Sequence, residues 1–137
     1  MAVDGQVVGR IRQGLLIYLG VGKDDSMSDL TYLVQKIAGL RIFADEAGHM
    51  NRSVTEVDGG ALAISQFTLF GDVRRGKRPS FTDAMEPSSA KAMYDAFIEA
   101  LRKEGVPCEQ GVFGAMMDIA SVNDGPVTIL VDSKKSF

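Results

Sequence analysis

The side chains that could do chemistry fall first at the end of one apolar run. Residues 61–69 predict a strand that is apolar until Ser65, Gln66 and Thr68 interrupt it. Such a strand buries its body and offers polar groups at its rim. The Gln66 amide and the backbone N–H groups of Phe67 and Thr68 could donate hydrogen bonds to a carbonyl oxygen or to the oxyanion formed from it. Thr68 itself is a poor nucleophile, because no base stands beside it.

Purely structural explanations of these residues stay open at this point. Threonine is a good strand former, so Thr68 could serve the strand alone. Gln66 could be a rim residue that faces water.

A dense cluster of positive charge follows the predicted strand. This basic loop consists of Arg74, Arg75, Lys77 and Arg78. Its side chains could hold RNA phosphates, each adding a salt-sensitive attraction, or could form a solvated loop without a ligand.

The spacing from Gly71 to Lys77 imitates a nucleotide-binding P-loop. Arg78, however, stands where that motif needs Ser or Thr, and Pro79 disfavours the helix that should begin there, so no nucleoside triphosphate site is predicted.

The third feature is a turn at residues 123–126, formed by Asn123, Asp124, Gly125 and Pro126. Backbone shape here is set by residue type, since glycine is conformationally free and proline is restricted. A tight hairpin would also explain this composition. The strand rim, the basic loop and this rigid turn together indicate a site for an anionic substrate.

The sequence gives little support for a catalytic triad, a metal site or a cysteine nucleophile. The one histidine, His49, lies in a predicted turn at residues 45–48, which predicts neither a catalytic triad nor a histidine-based metal site. The one cysteine, Cys108, excludes an intrachain disulfide and is predicted to be a packed or surface thiol rather than a nucleophile. The sequence therefore predicts no metal and no cofactor.

Length, composition and net charge limit the class of protein that this sequence can encode. A chain of 137 residues with 45% hydrophobic content predicts one domain over residues 1–137 with a real core. The net charge of −3 argues against a general nucleic-acid coat protein but leaves room for a local basic patch. No apolar run approaches the roughly 20 residues that span a bilayer, and no signal-type region opens the chain, so a cytoplasmic protein is predicted.

The sequence predicts two helices that would help to position the candidate site. The first is predicted to begin at Ser26 or Ser28 and to run to about Ala38; the second begins near Pro87, which suits a first helical position, and runs to about Glu104. Their predicted apolar faces are Leu30, Leu33, Val34 and Ile37 in the first and Met93, Tyr94, Phe97, Ile98 and Leu101 in the second.

The strands are predicted to pair in antiparallel fashion. Residues 6–11 are expected to pair with 14–21, and residues 111–122 with 127–132. A short strand at 41–44 should end at the 45–48 turn. This order of elements predicts an α+β domain with a mainly antiparallel sheet.

Several of these segments carry a resemblance to a known family. Residues 65–69 and 76–81, followed by residues 123–128, resemble the signature motifs of the D-aminoacyl-tRNA deacylases. The similarity covers nearly the whole chain and includes residues 4–9, 14–16, 39–43, 50–51 and 111–117. It implies an enzyme that hydrolyses D-amino acids, and mischarged glycine, from tRNA. It also implies a barrel-like sheet flanked by two helices and a homodimer with active sites at the interface.

The resemblance also implies roles for the predicted site. Ser65, Gln66, Phe67 and Thr68 would position the ester and contact the oxyanion, while the 2′-hydroxyl of the RNA helps to activate the reaction. The basic loop would bind tRNA phosphates near the acceptor end.

Substrate selection is expected from two further segments. The Gly125–Pro126 bond, in the turn that also contains Asn123, would be cis and would project from one subunit into its partner's active site. There it would exclude L side chains sterically. Phe113 and Met117 would line the pocket for the terminal adenosine.

Two other functions remain open on the sequence. One is a non-catalytic nucleic-acid-binding module, which the same basic loop would serve. The other is an editing enzyme of shifted specificity. Members of the family also have a strand before the point that matches Val3, so the chain is expected to lack the family's first N-terminal strand.

Overall fold

The computed structural model describes residues 1–137 and contains seven short strands, two α-helices and one 3₁₀ helix. The strands are β1 (Ala2–Val3), β2 (Gln6–Val7), β3 (Gly14–Leu19), β4 (Phe43–Ala44), β5 (Met50–Arg52), β6 (Gly60–Ser65) and β7 (Cys108–Gln110). The helices are α1 (Met27–Gly39) and α2 (Pro87–Lys103), and the 3₁₀ helix covers Phe67–Phe70. Helices and sheets in one domain confirm the predicted α+β class.

Both α-helices begin where the sequence predicts, because a carboxylate caps each start. The Asp29 carboxylate accepts a hydrogen bond from the Ser26 N–H at 2.8 Å. The Glu86 carboxylate accepts from the N–H groups of Ser88 at 2.9 Å and Ser89 at 3.2 Å. These bonds satisfy donors that have no partner inside a helix. The hydroxyl and N–H of Ser88, followed by those of Ser89, lower the pKa of Glu86 to about 2.

The predicted apolar faces of the two helices form the main core. Its buried members are Leu30, Val34 and Ile37 of α1 and Tyr94, Phe97, Ile98 and Leu101 of α2. Leu33 and Met93, also predicted to be on these faces, are half-buried at the edge of the core. Ala61 and Ala63 of β6 belong to the same cluster and are fully buried. Both helices therefore cover one face of β6.

The central sheet is parallel, which corrects the predicted antiparallel arrangement. Its strand order is β3-β6-β7, and both neighbouring pairs run parallel. The second face of β6 is buried too, because Leu62 and Ile64 form another cluster with Met1. A strand buried on both faces is continuously apolar, as is typical of parallel sheets, and such a run does not show which strand is its partner.

The sheet does not close into a barrel, so that implication of the resemblance is wrong. β3 and β7 are the two edges of the three-stranded sheet, and the pairs β1-β2 and β4-β5 are separate sheets. Because neither edge strand pairs with a further strand, the sheet remains open.

The predicted pairing of residues 6–11 with 14–21 is also wrong. β2 pairs with β1 instead, and β3 pairs with β6 in a register that places Leu19 opposite Ser65. The β1–β2 turn contains Asp4 and Gly5, both with positive φ (49° and 77°). Positive φ at both central residues matches the right-handed twist of a two-residue hairpin.

Residues 111–122 and 127–132 form no strand pair, contrary to prediction. The only bridge in this region joins Ala2 to Asp118. Exposure nevertheless alternates along residues 111–119, with Met117 and Ile119 half-buried against the Leu62 and Ile64 cluster. Alternating exposure shows that the two faces of an extended chain differ, but it does not identify the segment with which that chain pairs.

The short strand predicted at residues 41–44 is confirmed as β4, which pairs with β5. The predicted 45–48 turn is closed by the Asp45 carboxylate, which accepts from the N–H groups of Ala47 at 2.9 Å and His49 at 3.0 Å. Neither α-helix has the length and apolar character that crossing a membrane would need.

Candidate active site

Parallel pairing brings the carboxyl ends of β3, β6 and β7 to one edge of the sheet. Ser65 ends β6 opposite Leu19, the last residue of β3. β7 ends at Gln110, opposite Ala63. In open α/β sheets this carboxyl edge is where ligands bind. The predicted residues 65–68 and the start of the 111–117 segment therefore share an edge.

The signature segment leaves the sheet after Ser65, which corrects the predicted strand over residues 61–69. The Gln66 N–H still donates to the Leu19 carbonyl at 2.8 Å, and the chain then enters the 3₁₀ helix. The first N–H groups of such a turn have no partner within it. The N–H groups of Phe67 and Thr68 make no hydrogen bond within the chain. Both remain available as donors at the exposed edge.

Thr68 lies in this helix and is exposed, so it is not a strand residue. Its hydroxyl oxygen accepts a hydrogen bond from the Gln66 amide. The half-buried Gln66 is thus engaged with a neighbour rather than turned freely to water. Because no carboxylate or imidazole contacts Thr68, the geometry does not provide the base that a threonine nucleophile requires.

Two glycines that sequence reasoning missed allow this helix to lie close to the end of β3. A Cβ atom at Gly20 would come within 3.1 Å of the Phe70 ring, and one at Gly22 within 3.0 Å. Both distances are at or below the limit of normal packing, so side chains there would displace Phe70. The signal that could have found them is a Gly-x-Gly pair directly after an apolar strand.

The basic loop is closed at its base and leans on the signature segment. Asp72 and Ser80 exchange two backbone hydrogen bonds, at 2.7 and 2.9 Å. Just beyond this bridge, the Phe81 ring packs edge-on against Phe67 with ring centroids 5.0 Å apart. The loop is therefore held beside the two free N–H groups.

The four cations of the loop are not equivalent. Arg74 binds the Asp72 carboxylate through two contacts, Nε to Oδ1 at 3.0 Å and Nη2 to Oδ2 at 2.7 Å. The Arg74 side-chain and backbone bonds lower the pKa of Asp72 to about 2. Arg75, Lys77 and Arg78 form no ion pair and are exposed. Three free positive charges therefore remain for an anionic ligand.

Phe113 and Met117 lie in different layers. Phe113 packs against the helix-facing core, with its ring centroid 6.1 Å from that of Tyr94. Met117 packs against the Leu62 and Ile64 cluster on the opposite face of β6. Both side chains are half-buried, so within one chain each is at least partly a packing residue.

Tyr94 joins these parts of the site, and sequence reasoning placed it only in the core. Its hydroxyl donates to the Ala63 carbonyl at 2.6 Å and accepts the Gly111 N–H at 3.1 Å. One buried side chain thus ties β6 to the segment that carries Phe113. Desolvation raises the pKa of Tyr94 above its usual value. No pattern in the sequence separates this tyrosine from its apolar neighbours on α2.

The turn at residues 123–126 stands apart from these groups. The Gly125–Pro126 bond is cis, as the resemblance implies. The Asn123 side chain closes the turn, accepting the Val127 N–H at 3.1 Å and donating to the Thr128 hydroxyl at 3.0 Å. Asn123 therefore shapes the turn. Gly125 and Pro126 are exposed, and no hydrogen bond joins the turn to residues 65–68 of the same chain.

His49 and Cys108 have the surroundings that the sequence predicts for them. His49 is exposed in its turn. Cys108 is buried, and desolvation raises the pKa of its thiol to about 11, which keeps it unreactive at neutral pH. A cavity of about 340 Å³ lies near Gly60 and Cys108 at the amino edge of the sheet and includes none of the predicted site residues. Phe67, Thr68 and the basic loop are exposed, so the candidate site is an open surface.

Comparison with known proteins decides the family. The family model described as D-Tyr-tRNA(Tyr) deacylase matches residues 1–132. The chain belongs to this family. It is 58% identical to the D-aminoacyl-tRNA deacylase of Koribacter versatilis over 100% of its own length and 92% of that protein. It is 54% identical to the D-aminoacyl-tRNA deacylase of Fervidobacterium nodosum, again over 100% and 92%.

Solved structures of similar proteins agree with this deacylase fold. The structure of a c-Myc DNA unwinding element binding protein matches with a TM-score of 0.87 and 39% identity, over 93% of this chain and 87% of that one. A probable eukaryotic D-amino acid tRNA deacylase matches with a TM-score of 0.58 and 20% identity, over 74% and 75%, which shows likeness of fold alone. The relatives named as deacylases are hydrolases of the aminoacyl-tRNA ester.

Proposed function

We propose that this protein hydrolyses the ester that joins a D-amino acid to the terminal ribose of tRNA, and acts likewise on mischarged glycine. The products are free tRNA and the free amino acid, so the activity is a chiral proofreading step of translation, expected in the cytoplasm. Family membership supports the reaction. The observation that carries its mechanism is the pair of unbonded N–H groups at Phe67 and Thr68, next to the Gln66 amide.

In this mechanism the protein supplies position and hydrogen bonds. Water adds to the ester carbonyl, the oxyanion accepts hydrogen bonds from Phe67 and Thr68, and the bond to the ribose oxygen then breaks as that oxygen takes a proton. The 2′-hydroxyl of the RNA assists, and Ser65 and Gln66 hold the ester in place. Donors aimed at a developing oxyanion are typically worth about 2.7–4 kcal/mol each, which is enough to account for a large rate effect without a nucleophile.

The basic loop supplies the affinity for tRNA. Arg75, Lys77 and Arg78 have no internal partner and are held next to the signature segment, where phosphates of the acceptor end would lie. Arg74 instead serves the loop through Asp72. Affinity should then come from three side chains, each contributing a salt-sensitive contact.

The active enzyme is proposed to be a homodimer in which the turn at residues 123–126 completes the partner's site. The turn is exposed and makes no hydrogen bond to residues 65–68 of its own chain. It is flanked by exposed apolar side chains, including Val122 at 92% and Leu130 at 71%. Apolar surface of this kind marks an interaction face. In the dimer, Gly125 and Pro126 would exclude an L side chain, and Phe113 with Met117 would border the terminal adenosine.

The direct test uses D-Tyr-tRNA and L-Tyr-tRNA made from the same tRNA. The proposal predicts rapid loss of the D ester while the L ester decays at its uncatalysed rate. A protein that binds both tRNAs and hydrolyses neither would instead be a nucleic-acid-binding module. Equal hydrolysis of both esters would contradict the chiral role.

A further inference from the structure

The turn proposed to select substrates sits in a segment that is poorly attached to its own chain. We call residues 119–131 the C-terminal strap. Its hydrogen bonds are all internal: Asp124 to Val122, and Asn123 to Val127 and Thr128. None reaches the rest of the protein, and all but a few of its side chains are exposed. Within one chain, the position of the turn therefore depends on how the strap is held at its two ends.

The upstream end is held by backbone. Ala2 and Asp118 exchange two hydrogen bonds, at 2.8 and 2.9 Å. The next residue, Ile119, packs against the apolar cluster of Leu62 and Ile64. This anchor uses main-chain groups and buried apolar contact.

The downstream end is held by a charged side chain. Lys134 Nζ lies 3.0 Å from both Asp29 carboxylate oxygens and 3.8 Å from Asp25 Oδ1. The two carboxylates are largely covered, with side-chain exposures of 11% for Asp29 and 16% for Asp25. Asp29 is already fixed by the Ser26 N–H and Asp25 by the Gly22 N–H at 2.7 Å. Lys134 thus binds a rigid, prearranged pair of carboxylates at the start of α1.

Lys134 is the charged residue of this anchor. The Asp132 carboxylate accepts the Lys134 N–H at 2.9 Å, which orients the turn that presents the side chain. Lys135 contributes a weaker contact, with Nζ 5.4 Å from the Tyr32 ring centroid. The Lys134 contact spans 105 positions of the sequence and joins the tail to α1 by a charged hydrogen bond. The Ser133 side chain bonds the same carboxylate.

We propose that Lys134 is a positioning residue, which holds the C-terminal strap against α1 through Asp29 and thereby fixes the Gly125–Pro126 turn for discrimination against L substrates. The inference rests on the proposed role of that turn. A strap anchored at one end can move its turn by several ångströms, since each extended residue spans roughly 3.3–3.6 Å. A turn that moves leaves space for an L side chain while the oxyanion donors of residues 67 and 68 stay in place.

The test is the ratio of kcat/KM for D-Tyr-tRNA to that for L-Tyr-tRNA. Both substrates contain the same tRNA, so phosphate contacts cancel in the ratio. Lys134→Ala is expected to lower the ratio about 2- to 30-fold, the range for residues that act on a site through another element. Most of the change should be increased hydrolysis of the L ester. Lys134→Arg retains the cation and should restore most of the ratio.

Lys91→Ala is the matched control, since Lys91 Nζ makes an ion pair of similar length with Asp95, at 2.8 Å, but within α2 and with a more exposed carboxylate. It should leave the ratio unchanged. Circular dichroism and cleavage by chymotrypsin after Leu130 provide independent readouts. Lys134→Ala should retain the folded spectrum and be cleaved faster, whereas Lys91→Ala should match the wild-type protein in both.

The outcomes separate this inference from the proposed function. A wild-type protein with no D preference contradicts the proposed function itself. A selective wild-type protein together with an equally selective Lys134→Ala variant overturns the inference and leaves the function standing. A fall in the ratio that Lys134→Arg does not restore, or that Lys91→Ala reproduces, also overturns it.

Discussion

Replacing Tyr94 by phenylalanine removes one buried hydroxyl and tests how the two halves of the site are joined. The hydroxyl bonds to the Ala63 carbonyl and the Gly111 N–H. Tyr94 is 2% exposed, so water cannot replace these bonds without structural change. The Gly111 N–H also points at the Ala63 carbonyl directly, at 3.3 Å, so neither group is left without a partner.

The expected loss of stability follows from these two hydrogen bonds of the Tyr94 hydroxyl. Two hydrogen bonds are lost at about 0.5–1.5 kcal/mol each, and the ring remains buried, so Tyr94→Phe should lower the free energy of unfolding by about 1–3 kcal/mol. Truncation to alanine would also empty the core and would cost more, about 3–5 kcal/mol. The tie to Gly111 is then reduced to its 3.3 Å bond with the Ala63 carbonyl, which should also raise KM for D-Tyr-tRNA, because Gly111 begins the segment carrying Phe113.

Urea unfolding followed by circular dichroism measures the effect, since the chain has no tryptophan. The matched control is Tyr18→Phe, because Tyr18 is 45% exposed and its hydroxyl makes no hydrogen bond within the chain. That variant should stay within about 0.5 kcal/mol of the wild-type protein. If Tyr94→Phe is as stable as Tyr18→Phe, the Tyr94 hydroxyl does not hold β6 and Gly111 together.

Three further predictions concern the basic loop, the turn and the cap of α2. Arg75→Ala should weaken tRNA binding and reduce the slope of log affinity against log salt by roughly 0.7–0.9, while Arg74→Ala should also disturb the loop; titrations at several salt concentrations distinguish them. Gly125→Ala should raise hydrolysis of L-Tyr-tRNA relative to D-Tyr-tRNA, because φ is +133° and a Cβ would meet Val127 Cγ2 at 2.9 Å; unchanged selectivity would contradict the role of the turn. The pKa of Glu86 is lowered from 4.5 to about 2, so its cap stabilises the fold fully above pH 4.5 and is lost as pH falls towards 2. The stability difference between the wild-type protein and Glu86→Ala, measured by unfolding between pH 7 and pH 2, should shrink over that window.

The helices could be predicted from the sequence because their signals are local. Ser26 and Pro87 mark the starts, and apolar residues at helical spacing mark the buried faces. These features depend on residues within one or two turns of each other. The structure accordingly places both helices within a residue or two of the prediction.

Strand partners could not be predicted, because they depend on contacts far apart in the chain. The apolar run of β3 is compatible with either direction of pairing. The burial of both faces of β6, which is typical of a parallel sheet, is visible only in the fold. The segment Phe67–Phe70 is rich in strand-forming residues, yet it forms a 3₁₀ helix whose Phe70 lies against Gly20 and Gly22. Tertiary packing overrides local preference there.

The site was predictable as a set of residue types but not as an arrangement. The polar signature, the basic loop and the turn are visible in the sequence. The bond between Arg74 and Asp72, the role of Tyr94 and the anchoring of Lys134 on Asp29 are not, since each joins an unremarkable side chain to a partner that only the fold supplies.

The proposed mechanism depends on the backbone N–H groups of residues 67 and 68, which stabilise the oxyanion. Phe67→Pro removes one of these donors, and Phe67→Ala removes the same ring but retains the donor. Proline fits the first position of a helical turn, and Gln66 before it (φ −136°, ψ 80°) is outside the α region that proline disfavours. The Phe67 N–H makes no hydrogen bond within the chain, so the substitution breaks none.

The deciding measurement is single-turnover hydrolysis of D-Tyr-tRNA by these two variants, with circular dichroism to verify that both are folded. Phe67→Pro is expected to be slower than Phe67→Ala by about 10²- to 10³-fold, the usual effect of losing one oxyanion donor. Equal rates in two folded variants would contradict it.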